Sequence, residues 1–380
     1  MKVLVLGAGR MGHGAVYDLV HNSPDVTEIT VADRYLHKAE EIAAAVGGNV
    51  TACHIDVANY DDVIELFSGH DSVISCVNYW YNAVLSKAAI ETKANFCDLG
   101  GNNYIVDEQL ALNASAREAG INIIPDCGLA PGMVSILAMH GAARFDTVDE
   151  IHIRVGGLPQ HPQPPLDYQL VFSVEGLINE YIEVARVIRD GEITQIESMT
   201  ELESLEFDGF PQLEAFQTSG GTSTLPDTFI GKVKELDYKT IRYAGHCDRF
   251  KTMIDLGLCS SDKITADGQD VIPRKVFGEL LQQNLPADGP DYVLVRLEFV
   301  GTKGDKEHRL RYDIVDKLDE STGMSAMMRT TAFPASIIAQ MMARGQVNMR
   351  GATPQEKAID PDGFVAELTR RNINIKITEI

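Results

Sequence analysis

The chain has 380 residues, 44% of them hydrophobic, enough to bury a sizeable core and more readily two domains than one. Its 33 basic residues stand against 55 acidic ones, a formal net charge of −22, so most of the exterior repels nucleic acid and anionic membrane surfaces. The six cysteines are scattered, with no CxxC pair and no close Cys/His ligand spacing, which predicts reduced thiols, a cytoplasmic setting and no bound metal.

The start, MKVLVLGAGRMG, lacks the longer apolar core and cleavage site of a secretory signal, and no stretch reaches the roughly 18 apolar residues needed to span a bilayer. Residues 2–6, KVLVL, form an apolar run of the kind buried on both faces of a parallel sheet. The run enters Gly7-Ala8-Gly9-Arg10-Met11-Gly12 and then HGAVYDLVHN, which has helical spacing. GxGxxG between a strand and a helix is the arrangement that binds a dinucleotide. Gly7 permits the tight turn, Gly9 lets the pyrophosphate approach, and Gly12 lets helix pack on strand, with the helix N-terminus at Arg10 and Met11 facing the phosphates.

EITVAD, residues 28–33, is the second strand and ends in Asp33, where this fold places a ribose-binding acid roughly 20 residues past the glycines. A carboxylate there repels a 2′-phosphate and points to NAD. Arg34 beside it can pair with that phosphate or stack on adenine, which keeps NADP as a second cofactor. VTACHIDV, DSVISCVNY, ANFCDLGG and INIIPDCG read as further strands, whose carboxyl ends bind ligands in such sheets. Asp56 and Val57 are placed to flank the adenine, and Cys76, Val77 and Asn78 to border the nicotinamide ribose. Plainer roles compete: Asp56 as cap of the helix in ANYDDVIELF, and Cys76 as a small buried filler that touches the cofactor through its backbone.

IIPDCGLAPGM, residues 123–133, puts Asp126 at a strand's carboxyl end and turns through Gly128, Pro131 and Gly132 into the helical MVSILAMHGAARF. Pro131 suits a helix start, and free N–H groups around Ala130 and Pro131 would face the nicotinamide. Asp126 is then either an acid/base or amine-binding group, or a helix cap. Beyond this point DEIHIRVGGLP, DYVLVRLEFVG and EHRLRYDIVD alternate apolar and polar residues as half-exposed strands do, while EGLINEYIEVARVI and MRTTAFPASIIAQMMARGQ have helical spacing. The expected fold is α/β. A Rossmann dinucleotide-binding domain spans residues 1–128, and a second α/β domain for substrate binding and dimerisation, on a mixed or antiparallel sheet, spans 129–330. A C-terminal helix and tail, 331–380, would return to the Rossmann domain.

GAGRMG, DLGG, PDCGLAPGM, VGGLPQHPQPPLDYQLVFSVEGL, LEAFQTSGGTSTL, YKTIRYAGH and RTTAFPASIIAQ together resemble the saccharopine dehydrogenase (glutamate-forming) superfamily over essentially the whole chain. Within it the resemblance is to the bacterial lysine 6-dehydrogenases. It implies NAD-dependent oxidation of the side-chain amine of L-lysine to 2-aminoadipate 6-semialdehyde, which cyclises, with release of ammonia. It also implies a dimer contact carried by the second domain, hence a homodimer or a larger assembly of dimers. The chain reads FSVEGL where the fungal saccharopine-forming enzymes carry FSWSP, which argues against saccharopine as substrate. The alternative is a saccharopine reductase or carboxy-polyamine dehydrogenase working by reductive amination. It needs cations for further carboxylates, and Arg186, Arg189, Arg249 and Lys251 are available. A catalytically silent NAD-binding sensor is a third reading, opposed by the intact glycine fingerprint and the presence of a carboxylate anchor.

An amino-acid dehydrogenase must hold an α-carboxylate, an α-ammonium and, here, the distal amine. Arg242 is the carboxylate anchor, with Thr240 and Tyr238 alternating beside it on one face of a strand. The Gly220-Gly221 turn could bring N–H groups and the hydroxyls of Thr218, Ser219 and Thr222 to the same anion, Gly221 included. Otherwise it is a hairpin whose hydroxyls bond their own backbone. Glu175, next to Phe172, is the candidate for the α-ammonium with Asp167 behind it, unless each merely places charge at a helix N-terminus. Tyr79, Trp80 and Tyr81 could wall the lysine stem. Asp126, helped by Tyr238 or His246, would orient the amine or water, although a lone histidine is more often simply packed.

Overall fold

The computed structural model describes residues 1–347 and 349–380. They form two units, one of residues 1–143 with 328–374 and the other of residues 144–327 with 375–380.

The first unit is built on parallel strands β1 (Lys2–Leu6), β2 (Glu28–Asp33), β3 (Val50–His54), β4 (Ser72–Ser75), β5 (Asn95–Asp98) and β6 (Asn122–Ile124). A seventh strand, Gly351–Ala352, pairs with β6, and the order runs from it through β6, β5, β4, β1 and β2 to β3. Val3 to Leu6 are fully buried, as the apolar run requires, and the strand order switches sides between β1 and β4, the point at whose carboxyl ends such sheets bind ligands.

The first helix, Arg10–Asn22, is fixed from behind by a buried ion pair. Asp18 accepts from the Arg371 Nε at 2.6 Å, from the Ser336 hydroxyl at 2.6 Å and from the Asn22 amide at 2.8 Å, and neither member of the pair is exposed. The pair ties the glycine-loop helix to the helix Ala326–Ala343 and to the end of the helix Pro361–Arg370.

The second unit carries β7 (Thr147–Pro159), β8 (Ala185–Arg189), β9 (Glu192–Ile196), β10 (Glu203–Leu205), β11 (Leu213–Gln217), β12 (Glu235–Tyr243), a separate hairpin of β13 (Ile264–Ala266) and β14 (Gln269–Val271), then β15 (Asp291–Lys303) and β16 (Lys306–Lys317). The large sheet runs β10-β11-β12-β7-β15-β16 and ends on the strand Lys376–Glu379, with β8 also paired to β12 and β9 to β8. It is mixed: β12 and β7 are parallel, and the other pairs are antiparallel. Side chains alternate across it, so Leu236, Tyr238, Thr240 and Arg242 share one face of β12.

Three expectations need correction. The helix Met133–Ala142 belongs to the first unit, because it is apolar all round and packs with the helices Gln355–Ala358 and Pro361–Arg370 of that unit. The chain's last residues belong to the second unit, where Lys376–Glu379 pairs with Leu310–Asp313 of β16. EGLINEYIEVARVI is not one helix: Val174–Ile182 is helical, but Ala185–Arg189 is β8, whose Val187 and Ile188 are buried by pairing with β9 and β12. Among the described residues no helix is long and apolar enough to cross a membrane.

Removing one member of a buried ion pair strands the other, so Asp18→Ala is expected to cost about 3–5 kcal/mol in denaturant unfolding. Asp18→Leu combined with Arg371→Met should recover most of that loss. Equal destabilisation of the single and double variants would show that the pair does not hold this helix.

Candidate active site

The glycine loop has the geometry of a dinucleotide cradle. Gly7 adopts φ +95, and a Cβ there would lie 2.8 Å from the Cys76 carbonyl oxygen. A Cβ on Gly12 would fall on the Gly7 carbonyl, whereas Gly9 has open space on its free side. Arg10 and Met11 open the helix that follows, whose N-cap residue, Gly9, makes no side-chain cap bond, so the positive end of the helix faces the loop. Asp33 accepts from the Ala8 amide and from the Tyr35 amide, each at 2.8 Å. The carboxylate is therefore pinned at the loop, with lone pairs left for ribose hydroxyls. Arg34 is exposed and leans over the Tyr35 ring, its guanidinium carbon 5.1 Å from the centroid.

The flanking candidates differ in character. Asp56 closes its own turn by accepting from the Ala58 amide at 3.0 Å and does not cap the helix Tyr60–Phe67, whose N-cap position is Asn59. Val57 and Val77 pack against the apolar core of this unit. The Cys76 amide donates to the Leu6 carbonyl at 2.8 Å, extending the β1–β4 pairing, and burial pushes its thiol far up, so it offers backbone rather than thiolate. The Asn78 carbonyl accepts from the Tyr81 amide at 3.2 Å at the start of the aromatic turn. Ala130 and Pro131 are half-buried in a loop that closes where the Met133 amide meets the Gly128 carbonyl at 2.8 Å.

Asp126 sits past the end of β6 at φ +60 and is 1% exposed. Gly132 holds the N-cap position of the helix Met133–Ala142, which removes the helix-cap reading of Asp126. The side chain of Asp126 lies on Gly100, where any Cβ would strike its Oδ1. Its amide donates to Asp98 Oδ1 at 3.2 Å, and the same carboxylate accepts from the Gly100 amide at 2.8 Å and the Gln109 side chain at 2.7 Å. Burial raises the Asp98 pKa against these bonds. Tyr79 packs on Gly101, whose Cβ would come within 2.9 Å of the ring, and Trp80 stands half-exposed edge-on to Tyr79 at 5.4 Å. Asp98 had no role in the sequence reading, although its place before Gly100-Gly101 at a strand end was a signal of one.

In the second unit the buried cation Arg242 organises one cluster of polar groups. Arg242 is 3% exposed, its Nε donates to the Tyr181 hydroxyl at 2.8 Å and its Nη1 to the Ile241 carbonyl at 2.9 Å. Its guanidinium lies over the Tyr168 ring at 4.8 Å and the Tyr181 ring at 5.7 Å. Nη2 makes no hydrogen bond to a described residue and stands 4.0 Å from Glu180 Oε1. Thr240 donates to that oxygen at 2.6 Å, and with its proton so committed it accepts from Thr218 at 2.7 Å. Tyr238 lies on the same face, and its ring fills the space where Gly221 has no side chain. The Tyr168 hydroxyl is buried and faces the Val171 amide without a hydrogen bond of normal geometry.

His246 is not a proton shuttle. It is 1% exposed, with Phe216 and Phe250 stacked on its ring, Nε2 3.0 Å from the Tyr181 hydroxyl and Nδ1 3.0 Å from the Leu166 carbonyl. Burial, reinforced by the charge of Arg242, lowers its pKa to about 3. The ring is therefore neutral, with Nδ1–H donating to Leu166 and Nε2 accepting from Tyr181. Arg242, Tyr181, His246 and Leu166 form a one-way chain of hydrogen bonds that fixes the guanidinium.

Other substrate candidates lie elsewhere. The Thr222 hydroxyl donates to the Arg186 carbonyl at 2.8 Å and the Ser219 hydroxyl to the Asn179 carbonyl at 3.2 Å, so both serve the backbone. The Gly220-Gly221 turn is no hairpin but leads into the short helix Leu225–Phe229. Glu175 is exposed and paired with Arg274 at 2.7 Å, and Asp167 with Arg249 at 2.7 Å, so neither acid is available to a ligand ammonium. Phe172 is 41% exposed beside Gly176. The residues that sequence reasoning missed are Glu180, Tyr181 and Tyr168. Glu180 directly precedes the last residue of the buried stripe Leu177, Ile178 and Tyr181, a pattern that could have marked it.

Domain patterns match over nearly the whole chain: the saccharopine dehydrogenase NADP binding domain over residues 3–124 and the saccharopine dehydrogenase C-terminal domain over residues 128–373. The chain belongs to the saccharopine dehydrogenase family. Its first unit is an NAD(P)-binding domain, and the glycine cradle and pinned Asp33 fit that cofactor. The chain is 23% identical to alpha-aminoadipic semialdehyde synthase of Bos taurus over 92% of its own length and 45% of that protein's, so it spans about half of this relative. It is 25% identical to carboxynorspermidine synthase of Vibrio cholerae over 100% of its own length and 97% of that protein's. Apo saccharopine dehydrogenase (L-Glu forming) of Saccharomyces cerevisiae shares the fold, with TM-score 0.82 at 19% identity, covering 100% of this chain and 99% of that one.

The depressed pKa of His246 has a definite sign. Between its ordinary value of 6.5 and its folded value of about 3, falling pH protonates the unfolded chain but not the folded one, so this group's contribution to stability is lost as pH falls. Each pH unit in that window removes up to about 1.4 kcal/mol. Urea unfolding between pH 6.5 and 5 should lose about one proton's worth of slope in His246→Gln. An unchanged slope would contradict the buried neutral ring.

Proposed function

We propose that the protein is an NAD-dependent dehydrogenase acting on the side-chain amine of an α-amino acid, L-lysine foremost, with release of ammonia and 2-aminoadipate 6-semialdehyde. The observation that carries this reading is the count of free cations at the substrate side. Arg186 is paired with Asp227, Arg189 with Glu201, Glu235 and Asp237, Arg249 with Asp167, and Lys251 with Asp255. Arg242 alone among these candidates has no carboxylate within hydrogen-bond reach, its nearest being Glu180 at 4.0 Å, which suits a substrate with one carboxylate. Asp33, held by two amides at the end of β2, favours NAD by repelling a 2′-phosphate.

The nicotinamide, when bound, supplies the hydride acceptor. Arg242 fixes the carboxylate through Nη2, its orientation set by Tyr181 and His246. Asp126 takes a proton from the lysine Nε, because only the neutral amine can release hydride from Cε. Water adds to the resulting iminium, a proton returns to nitrogen, and ammonia leaves as the aldehyde forms. Cysteine nucleophiles are not required, in keeping with thiols that burial keeps protonated.

A second reading rests on the match to the Vibrio cholerae carboxynorspermidine synthase over the full chain. The same site would then join an aldehyde to an amine reductively, with Arg242 still holding a carboxylate.

Formation of reduced cofactor should be measured with L-lysine, saccharopine and carboxynorspermidine, each with NAD and with NADP. Turnover of L-lysine with NAD is the expected result, and turnover of only one of the other two would overturn this reading. Arg242→Lys should raise the KM for L-lysine about 10–100-fold and leave the KM for NAD unchanged, since an ammonium cannot keep the bonds to Tyr181 and the Ile241 carbonyl while also offering a donor where Nη2 lies.

A further inference from the structure

We propose that Glu180 is the ammonium-binding, specificity-determining residue of this site, so that Glu180 and Arg242 together select the zwitterionic head group of an α-amino acid. The inference rests on the reading of Arg242 as the carboxylate anchor.

Five observations support it. Glu180 and Arg242 lie 4.0 Å apart, too far for a hydrogen-bonded pair, and each retains unused capacity toward a ligand. Two of the guanidinium nitrogens are tied to Tyr181 and to the Ile241 carbonyl, leaving Nη2. Glu180 Oε1 accepts from Thr240, while Oε2 accepts nothing from a described residue. The side chain is 17% exposed, against 3% for Arg242, so an entering molecule can reach it. The Tyr168 hydroxyl, buried under the guanidinium without a normal hydrogen bond, is the one orphaned donor beside this pair among the described residues.

Charge decides what fits. The pair is neutral overall, so a zwitterion satisfies both members and leaves no buried charge unmatched. A plain carboxylate would leave Glu180 unpaired beside it and repelled, and a polyamine without a carboxylate would leave Arg242 unpaired. The site therefore discriminates through penalties as well as contacts. Thr240, with Thr218 behind it, sets the direction of the Glu180 carboxylate.

The test uses ligands that cannot react, so that it does not depend on turnover. Calorimetric titration of the NAD-saturated protein with L-norleucine and with hexanoate compares an α-amino-acid head group with the same carboxylate lacking the amine. The wild type should bind L-norleucine about 10-fold or more tightly than hexanoate. Glu180→Gln, which keeps shape and removes charge, should abolish that preference and leave hexanoate affinity the same or higher. Thr240→Val should narrow the preference with the chain still folded. An unchanged preference in Glu180→Gln, or no binding of L-norleucine to the wild type, would overturn the proposal. If L-lysine is not turned over but the preference exists and depends on Glu180, the reaction assignment fails and the head-group assignment stands. If L-lysine is turned over and the preference is indifferent to Glu180, the reverse holds.

Discussion

The candidate substrate site of the second unit is organised around one guanidinium taken out of water, that of Arg242. A charge as buried as Arg242 would be a liability without compensation, because desolvating it costs several kcal/mol. The surroundings answer that cost in layers: two aromatic faces, a tyrosine hydroxyl, a main-chain carbonyl, and a carboxylate held just beyond hydrogen-bond reach. Those partners come from β12, the helix Val174–Ile182 and the loop around Tyr168, so the fold of this unit is also the means of orienting the charge. A neutral histidine completes the arrangement. If His246 were protonated it would reject the proton of Tyr181 and repel Arg242, which is why an apolar shell around its ring matters as much as its two hydrogen bonds.

The first unit solves a different problem with backbone rather than side chains. Its glycines leave room where a dinucleotide must lie, and Asp33, the acid at the end of β2, is held by the Ala8 and Tyr35 amides. At the ends of β5 and β6, Asp98 and Asp126 sit over Gly100, whose lack of a side chain makes the close approach possible. Space in this unit is set by what the glycines omit.

How much of this was legible in the sequence follows from how local each feature is. The dinucleotide half could be read from Gly7, Gly9, Gly12 and Asp33, because turn, strand and helix lie within one short span. The shared face of Tyr238, Thr240 and Arg242 followed from strand alternation alone. Roles that depend on a partner far along the chain were not legible. An acid for an α-ammonium was expected, but Glu175 and Glu180 sit on the same helix. Only the tertiary structure shows that one pairs with Arg274 and the other faces Arg242. Thr222 and Ser219 looked like ligands because nothing in the sequence reveals that the Arg186 and Asn179 carbonyls take their protons. Helical spacing over EVARVI misled because three residues of one period fit a strand as well, and pairing with β12 decides it.

The fate of the side-chain nitrogen tests the central claim most directly. L-lysine carrying heavy nitrogen only at Nε, incubated with NAD and the protein, should yield reduced cofactor and labelled free ammonium in equal amounts. Reduced cofactor without labelled ammonium, or label retained in a secondary amine, would contradict oxidative release at that carbon.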